Sequence, residues 1–375
     1  MIKLKKVLIV FGTRPEAIKM APLVKAFQKS SNIFETKVCV TAQHREMLDQ
    51  VLDFFDITPD FDLNLMKPGQ NLYTLTADII TGMKPVLESF NPDYVFVHGD
   101  TSTTMATSIA GFYNQSKVCH IEAGLRTNDK WSPFPEEINR QVTGRIADFH
   151  FAPTITSQSN LLKENIPSSQ IVVTGNTVID ALLDSVDKVN TDPSDLVREL
   201  DIAIGEKEVL LVTGHRRENH GDGFVRICEA LKEIALQKPD HLIIYPVHLN
   251  PKVQEPVKRI LKDVSNIMLI DPLAYQDFIW LMNKSKLIIT DSGGVQEEAP
   301  SLGKPVLVMR DTTERPEAVE AGTVILVGTD KDLILSETLD LLNNPDRFTE
   351  MSKLHNPYGD GKACERIVEF IKNQK

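Results

Sequence analysis

The chain has 375 residues, of which 42% are hydrophobic and 25% charged, and its formal net charge at pH 7 is −11. This length favours two domains, and the composition is that of an ordinary globular protein. The acidic balance argues against nucleic acid as a partner, so the cations for any anionic ligand must be gathered locally.

Signals for metal binding, secretion and membrane insertion are missing from the sequence. The four cysteines are scattered, with no Cys-x-x-Cys pair and no Cys/His cluster at zinc spacing, so we expect reduced thiols and no metal. The apolar run Val7–Phe11 is too short for a signal peptide, and no run reaches transmembrane length. We therefore expect a cytoplasmic protein without a membrane partner.

Short apolar runs of strand type alternate with helical patterns through almost the whole chain. In the first half the predicted strands are Val7–Phe11, Thr36–Thr41, Tyr94–His98, Val118–Glu122, Phe149–Ala152 and Ile171–Thr174. In the second half they are Val209–Thr213, Leu242–Val247, Ile267–Ile270, Leu287–Thr290, Val306–Met309 and Val324–Val327. Continuous apolar strands between helices indicate parallel sheets that are covered on both faces.

Six predicted strands in each half indicate an α/β protein with two Rossmann-like doubly wound domains facing a cleft. A polar stretch around Pro193 follows a predicted helix and suggests that the joint lies near residues 175–205. We expect one domain over 1–175 plus a C-terminal helix at 360–375, and the other over 176–359. Because open parallel sheets bind ligands at the carboxyl ends of their strands, the loops that follow the strands are the candidate sites.

The loop after the first strand carries two cations. Arg14 stands at a predicted helix entrance, and Lys19 lies just over one turn further along. Two cations beside a helix N-terminus suit a phosphate or a developing negative charge. The alternative is a solvated arginine and a surface pair between Glu16 and Lys19, but the position after a strand favours a ligand role.

Three carboxylates follow later strands of the first half. Asp100 is either catalytic or the cap of a helix that begins near Thr101. Glu122 ends an apolar strand, where a carboxylate is costly unless it is paired or functional, so a functional role is favoured over an ion pair with Arg126. Glu136 follows a loop with two prolines and two aromatic residues that could present it to the cleft, and a solvated acidic helix start is the alternative.

In the second half, a strand leads through a Ser-Gly-Gly turn into a helix start. The backbone N–H groups of Ser292, Gly293 and Gly294 and the positive end of the helix dipole suit a diphosphate, and Glu298 could bind sugar hydroxyls. His215 also lies just past a strand and can titrate near neutral pH. One half therefore resembles a centre for proton chemistry and the other a nucleotide site.

Two further loops of the second half bear on the nucleotide. Leu273 lies in a loop that leads to Phe278, whose ring could stack on a base or belong to the core, and Arg315 adds a cation after another strand. A nicotinamide cofactor is not predicted from Gly221-Asp222-Gly223, because Arg226 occupies the place of the third glycine and the motif lies well past its strand. We expect no cofactor.

Six motifs in chain order resemble the non-hydrolysing bacterial UDP-N-acetylglucosamine 2-epimerases. They are Gly-Thr-Arg-Pro-Glu-Ala-Ile-Lys-Met at 12–20, His-Gly-Asp-Thr at 98–101, Ile-Glu-Ala-Gly-Leu-Arg at 121–126, Pro-Phe-Pro-Glu-Glu at 133–137, His-Arg-Arg-Glu-Asn at 215–219 and Asp-Ser-Gly-Gly-Val-Gln-Glu-Glu-Ala-Pro at 291–300. The resemblance implies a glycosyltransferase-B-like fold. It also implies interconversion of UDP-GlcNAc and UDP-ManNAc through a bound 2-acetamidoglucal, which supplies ManNAc units for cell-surface polysaccharide.

The resemblance also implies residue roles. Asp100, Glu122, Glu136 and His215 would be catalytic. The substrate would be bound by Arg14, Lys19, Leu273, Phe278, Ser292, Gly293, Gly294, Glu298 and Arg315. A second, allosteric UDP-GlcNAc would contact Gln43, Gln70 and Arg216, and the protein would be a homodimer. The alternatives are a hydrolysing epimerase, a UDP-sugar glycosyltransferase of the same fold and a catalytically silent UDP-sugar-binding regulator.

Overall fold

The computed structural model describes residues 3–41, 45–67 and 69–374. The chain forms two compact units. The N-terminal unit runs to Ala181 and takes in the chain from Tyr358 onward, and the C-terminal unit comprises Leu182–Pro357. In the described ranges, no helix combines the length and the apolar character that crossing a membrane requires.

The N-terminal unit alternates strands with helices. In chain order its elements are β1 (Lys5–Phe11), α1 (Arg14–Lys29), β2 (Phe34–Val40), α2 (Arg45–Phe54), β3 (Phe61–Asp62), α3 (Leu72–Phe90), β4 (Tyr94–His98), α4 (Ser102–Tyr113), β5 (Lys117–Ile121), α5 (Glu136–Ile146), β6 (Phe149–Ala152), α6 (Ile155–Lys163), β7 (Ile171–Val173) and α7 (Thr177–Thr191). The seven strands form one parallel sheet in the order β3-β2-β1-β4-β5-β6-β7. The division between the two units falls within α7.

The C-terminal unit repeats this plan. Its elements are α8 (Asp195–Ile204), β8 (Glu208–Thr213), α9 (Asp222–Gln237), β9 (His241–Pro246), α10 (Pro251–Leu261), β10 (Ile267–Ile270), α11 (Tyr275–Lys284), β11 (Leu287–Thr290), α12 (Gly293–Glu298), β12 (Val306–Val308), α13 (Pro316–Glu320), β13 (Val324–Leu326), α14 (Lys331–Asn343) and α15 (Pro345–Ser352). Six parallel strands lie in the order β10-β9-β8-β11-β12-β13. The last helix, α16 (Ala363–Lys372), returns to the N-terminal unit.

The two sheets confirm the predicted α/β fold of two Rossmann-like units. Each predicted strand is present with small shifts at its ends, and the structure adds the two-residue strand β3, which is too short to leave a periodic apolar signal. The strands carry the core of each unit, because their apolar side chains are buried on both faces by the covering helices, as in Val7–Phe11 and Val209–Val212.

Strand order determines where polar side chains can gather. In the N-terminal unit β1 lies between β2 and β4, and in the C-terminal unit β8 lies between β9 and β11. After β1 the chain continues toward β2, whereas after the neighbouring strand β4 it continues toward β5 on the other side, and β8 and β11 behave in the same way. Connections that diverge in this manner leave a crevice at the carboxyl ends of the two neighbouring strands. The segments that follow β1, β4, β8 and β11 are therefore the ones that the fold makes available to a ligand.

Candidate active site

Just past the carboxyl end of β1, Thr13 caps the start of helix α1. Thr13 and Glu16 form a capping box, and the Glu16 carboxylate also accepts hydrogen bonds from the Gly12 N–H (3.1 Å) and the Thr101 hydroxyl (2.7 Å). Burial raises the pKa of Glu16 despite these bonds. Glu16 thus belongs to the scaffold of the turn, and its predicted alternative pairing with Lys19 is wrong.

Lys19 lies on α1 and pairs with the Glu122 carboxylate. Arg14, at the start of the same helix, is half-buried and forms no ion pair with the residues that the structure describes. Both cations therefore follow β1, as the sequence predicts. Only Lys19 is joined to one of the predicted acids.

Glu122 directly follows β5 and is the most enclosed of the predicted catalytic acids, with 9% of its side chain exposed. Its Oε2 atom accepts a hydrogen bond from Asn176 Nδ2 (2.8 Å) in addition to the contact with Lys19. Its backbone has a φ of 59°, in the left-handed region that non-glycine residues seldom adopt. Such strain persists where the surroundings hold a residue in place, and it is common at functional sites.

His98, the last residue of β4, lies beside this carboxylate. Its Nε2 atom is 3.7 Å from Glu122 Oε2. Burial lowers the pKa of His98 to about 4, although Glu122 opposes the change, so the imidazole is neutral at pH 7. In the described part of the chain, the neighbours of the Glu122 carboxylate thus include the Lys19 ammonium, the Asn176 amide and the neutral His98 imidazole.

The predicted alternative for Glu122, an ion pair with Arg126, is wrong. The Arg126 guanidinium instead donates two hydrogen bonds to the Glu164 carboxylate, at 2.6 and 2.9 Å. Arg126 thus ties the loop after β5 to the end of α6, while Glu122 is held by groups from α1 and from the segment before α7.

Asp100 follows β4 and pairs with Arg140 of α5. Arg140 donates from Nε (3.0 Å) and Nη2 (2.6 Å) to Asp100 Oδ2. The Asn139 side chain donates to the Asp100 carbonyl oxygen at 2.8 Å. Asp100 does not cap α4, because Thr101 is the capping residue. The first turns of α5 therefore hold Asp100 in position.

Glu136 begins α5 and is half-buried. No ion pair or side-chain hydrogen bond involves it within the described parts of the chain. Its neighbour Glu137 is buried and pairs with Arg140 at 3.1 Å. Burial opposes the charge of Glu137, but hydrogen bonds from the Thr127 and Asn128 backbone, Gln141 and Arg140 outweigh it and lower the Glu137 pKa.

The loop before α5 exposes two aromatic rings. Trp131 and Phe134 are 67% and 57% exposed, and their rings stack with centroids 5.6 Å apart. The sequence predicts a stiff loop that presents Glu136. In the structure Glu136 is already part of the helix, so the bonds of α5 to Asp100 position it as well.

In the C-terminal unit, Asp291 joins the loops that follow β8 and β11. Its side chain is fully buried. Its Oδ2 atom accepts hydrogen bonds from the backbone N–H groups of His215 and Arg216, both at 2.8 Å. His215 is partly exposed, and its ring stacks on that of His248 with centroids 5.2 Å apart. Burial lowers the pKa of His215, while Asp291 opposes the change.

The Ser-Gly-Gly turn lies at the start of α12, where Ser292 is the capping residue. Within the described structure the Ser292 hydroxyl does not cap the helix, so the first-turn N–H groups can meet a ligand. A Cβ atom placed on Gly293 would lie 3.9 Å from Arg315 Nη2 and 4.0 Å from Arg216 Nη2. Two guanidiniums thus stand beside this helix start, an arrangement whose charge and geometry suit an anion.

The remaining predicted binding residues lie on both sides of this turn in the chain. Glu298 is the last residue of α12 and is largely buried, and Arg315 pairs with Glu297. Leu273 lies between β10 and α11, and Phe278 is a half-buried residue of α11. These placements are compatible with either a ligand role or a core role for Phe278.

The predicted allosteric residues are only partly described. Gln43 lies outside the described residues. The Gln70 side chain donates to the Leu65 carbonyl oxygen at 3.0 Å. Arg216 lies beside Gly293, as noted above. Among the described residues there is no group of three or more His, Cys, Asp or Glu side chains that could hold a metal ion.

Sequence reasoning missed four residues that hold the predicted ones. They are Arg140 at Asp100, Asn176 and His98 at Glu122, and Asp291 at His215. His98 and Asp291 stand at strand ends, so that signal was available for them. Arg140 and Asn176 carry no comparable local signal, because only the folded sheet brings them to their partners.

Comparison with known proteins gives a consistent result. The family model described as UDP-N-acetylglucosamine 2-epimerase matches residues 25–372. The UDP-N-acetylglucosamine 2-epimerase of Escherichia coli (strain K12) is 61% identical over 373 residues, covering 99% of both chains. The crystal structure of UDP-GlcNAc 2-epimerase from Neisseria meningitidis bound to UDP-GlcNAc is 51% identical, with a TM-score of 0.86 and coverage of 98% of this chain and 100% of that one. An S. aureus MnaA–UDP co-structure is 47% identical, with a TM-score of 0.86 and coverage of 98% and 96%.

Proposed function

The chain belongs to the UDP-N-acetylglucosamine 2-epimerase family, and we propose that it interconverts UDP-GlcNAc and UDP-ManNAc without net hydrolysis. The observation that carries this proposal is the environment of Glu122. Its backbone is strained, and its enclosed carboxylate is held by Lys19 and Asn176 beside a neutral His98. A carboxylate held in this way suits the transfer of a proton to or from a sugar carbon.

The chemistry requires the nucleotide to leave before or while the proton moves. The C2 hydrogen of GlcNAc is not adjacent to a carbonyl group, so a base alone does not remove it readily. When the C1–O bond to UDP breaks, positive charge develops at C1 and the C2–H bond becomes acidic. Loss of that proton gives 2-acetamidoglucal and UDP. Return of a proton to the opposite face of C2, with re-addition of UDP at C1, gives the epimer.

Residues of the N-terminal unit would perform the proton transfers. Asp100, Glu122 and Glu136 are the candidate acids and bases, and Lys19 stabilises the ionised form of Glu122 through its ion pair. The neutral form of the His98 imidazole avoids adding a second cation next to this carboxylate. The division of the acid and base roles among the three carboxylates stays open in this proposal.

Residues of the C-terminal unit would hold UDP. The helix start at Ser292–Gly294, with Arg216 and Arg315 beside it, can stabilise the charge that develops on the departing diphosphate. The relatives support the choice of nucleotide, since the N. meningitidis structure contains UDP-GlcNAc and the S. aureus structure contains UDP. We propose that His215, Leu273, Phe278, Glu298 and Arg315 complete the nucleotide-sugar site.

We also propose a homodimer, activation by a second UDP-GlcNAc, and a cytoplasmic role in supplying ManNAc units for surface polysaccharide. Of the residues proposed to contact the second ligand, Gln70 and Arg216 lie in the described structure, and Arg216 lies close to Gly293. Sedimentation of the purified protein tests the dimer. The activation is tested by measuring whether added UDP-GlcNAc raises the rate at which UDP-ManNAc is converted to UDP-GlcNAc.

Proton and phosphorus NMR of UDP-GlcNAc incubated with the protein tests the reaction. We expect an anomeric signal of UDP-ManNAc that rises to a constant ratio with UDP-GlcNAc, without free UDP. Free UDP and free ManNAc that accumulate with every turnover would instead identify a hydrolysing enzyme. Sugar transferred to an added acceptor would identify a glycosyltransferase, and an unchanged spectrum would identify a binding protein.

A further inference from the structure

Asp291 is fully buried at the end of β11, and only one of its carboxylate oxygens is satisfied by hydrogen bonds. Oδ2 accepts from the His215 and Arg216 N–H groups and, at 3.3 Å, from Asn219 Nδ2. Oδ1 is buried and has no hydrogen-bond partner in the described part of the chain. Burying a carboxylate oxygen without a hydrogen-bond partner costs free energy, so the position of Oδ1 calls for a structural or functional explanation.

Oδ1 lies next to the His215 ring. Its distance from His215 Nδ1 is 3.6 Å, which is longer than a hydrogen bond but within the range of an ion pair. The same carboxylate therefore holds the His215 backbone through Oδ2 and approaches the His215 imidazole through Oδ1. This arrangement couples the position of the loop to the charge of the ring.

The other groups around the ring oppose its protonation. Burial lowers the pKa of His215, and nearby His248, Arg216 and His220 lower it further. His248 stacks against the ring, and its Nδ1 atom accepts a hydrogen bond from the Asn250 N–H at 3.1 Å. Asp291 is the one group among these that favours the imidazolium form.

We propose that Asp291 is a positioning residue for His215, which orients the imidazole, keeps the proton of the neutral ring on Nδ1 and stabilises the imidazolium form. The proposal rests on the proposed function, in which His215 acts on the bound nucleotide sugar. With Nδ1 directed to Asp291, Nε2 is the nitrogen left for the ligand. The negative charge of a departing diphosphate would then meet a ring that can carry a positive charge.

The test begins with the ligand-free protein. Nitrogen NMR of histidine-labelled protein reports which ring nitrogen carries the proton, and H215Q identifies the His215 signal among the nine histidines. We expect the neutral ring of wild-type His215 to carry its proton on Nδ1. A proton on Nε2 in the neutral ring would overturn the proposal, and this measurement needs no variant at position 291.

The second arm uses D291N. The amide oxygen of Asn can still accept the two backbone N–H bonds, while its NH2 group would face His215 Nδ1. We expect the proton of the neutral His215 ring to move to Nε2 and the His215 pKa to fall. Because the imidazolium form is then lost at lower pH, the decline of kcat on the high-pH side of its pH profile should also move to lower pH. At neutral pH kcat should fall about tenfold or more, a smaller loss than that of H215Q, because the imidazole is still present.

A matched control is D277N. Asp277 is also a buried aspartate of the C-terminal unit, it accepts a hydrogen bond from the Ser194 hydroxyl at 2.7 Å, and it is not among the groups that shift the pKa of His215. This variant should leave the His215 titration and the pH profile unchanged. An unchanged His215 titration in D291N would refute the positioning role of Asp291, even if the protein were an active epimerase. If nitrogen NMR gave the expected His215 tautomer but the protein formed no UDP-ManNAc, the proposed function would be refuted and the positioning role of Asp291 would be retained.

Discussion

Replacement of Glu122 by glutamine is expected to lower the turnover of UDP-GlcNAc by about 10²-fold to 10⁴-fold, the usual contribution of a positioned acid or base. Glutamine has the shape of glutamate, so Asn176 can still donate to it, but it can neither accept nor return a proton. Lys19 loses its ion-pair partner in the same change. The rate of appearance of the UDP-ManNAc anomeric signal measures the loss.

A matched control separates chemistry from stability in this experiment. Glu88 also pairs with a lysine, Lys84, but at the surface and at 3.7 Å, so E88Q should change neither the rate nor the unfolding temperature appreciably. We expect E122Q to unfold cooperatively, as the wild type does. Turnover in E122Q close to that of E88Q would remove Glu122 from the catalytic groups.

The change of Asp100 to asparagine is expected to have a comparable effect, with turnover reduced about 10²-fold or more. The amide oxygen of Asn can still accept hydrogen bonds from Arg140, so the side chain should keep its place against α5. The variant loses the charge and the ability to exchange a proton. A KM similar to that of the wild type together with a low kcat would show that the loss lies in the chemical step.

Asp93 offers the control for this variant. It precedes β4, at the end of the strand opposite to Asp100, and accepts a hydrogen bond from the Lys6 N–H at 2.8 Å. D93N keeps that acceptor and should retain wild-type turnover. If D100N were as active as D93N, Asp100 would be only a structural partner of Arg140. If D100N failed to fold, the loss of activity would be assigned to stability and the catalytic role would be withdrawn.

The sequence predicted the strands because each is a short apolar run between helical segments. It also predicted the strand-end position of Asp100, Glu122, His215 and Ser292, since the carboxyl ends of parallel strands meet at one edge. The two-residue strand β3 left no such signal. The order of the strands, which creates a crevice beside β1 and another beside β8, could not be read from the runs alone.

The pairing of the acids was the least predictable part. For Glu122 the sequence offers Arg126, four residues along, as the alternative partner, whereas the structure pairs Glu122 with Lys19, which is 103 positions away. Asp100 is separated from Arg140 by 40 positions. Nearness in sequence favours local pairs, but the ends of β1, β4 and β5 become neighbours only when the sheet forms. Partners of a strand-end carboxylate therefore depend on strand order.

The most direct test of the proposed mechanism is turnover of UDP-GlcNAc in deuterated water, followed by proton NMR and mass analysis of the UDP-ManNAc that forms. Elimination and re-addition predict one deuterium at C2 of the product, because the removed proton is replaced from a group that exchanges with solvent. Wild-type protein should show this incorporation, while E122Q should form the deuterated product more slowly by the same factor of about 10² to 10⁴. Epimerisation with complete retention of the C2 hydrogen would contradict the mechanism.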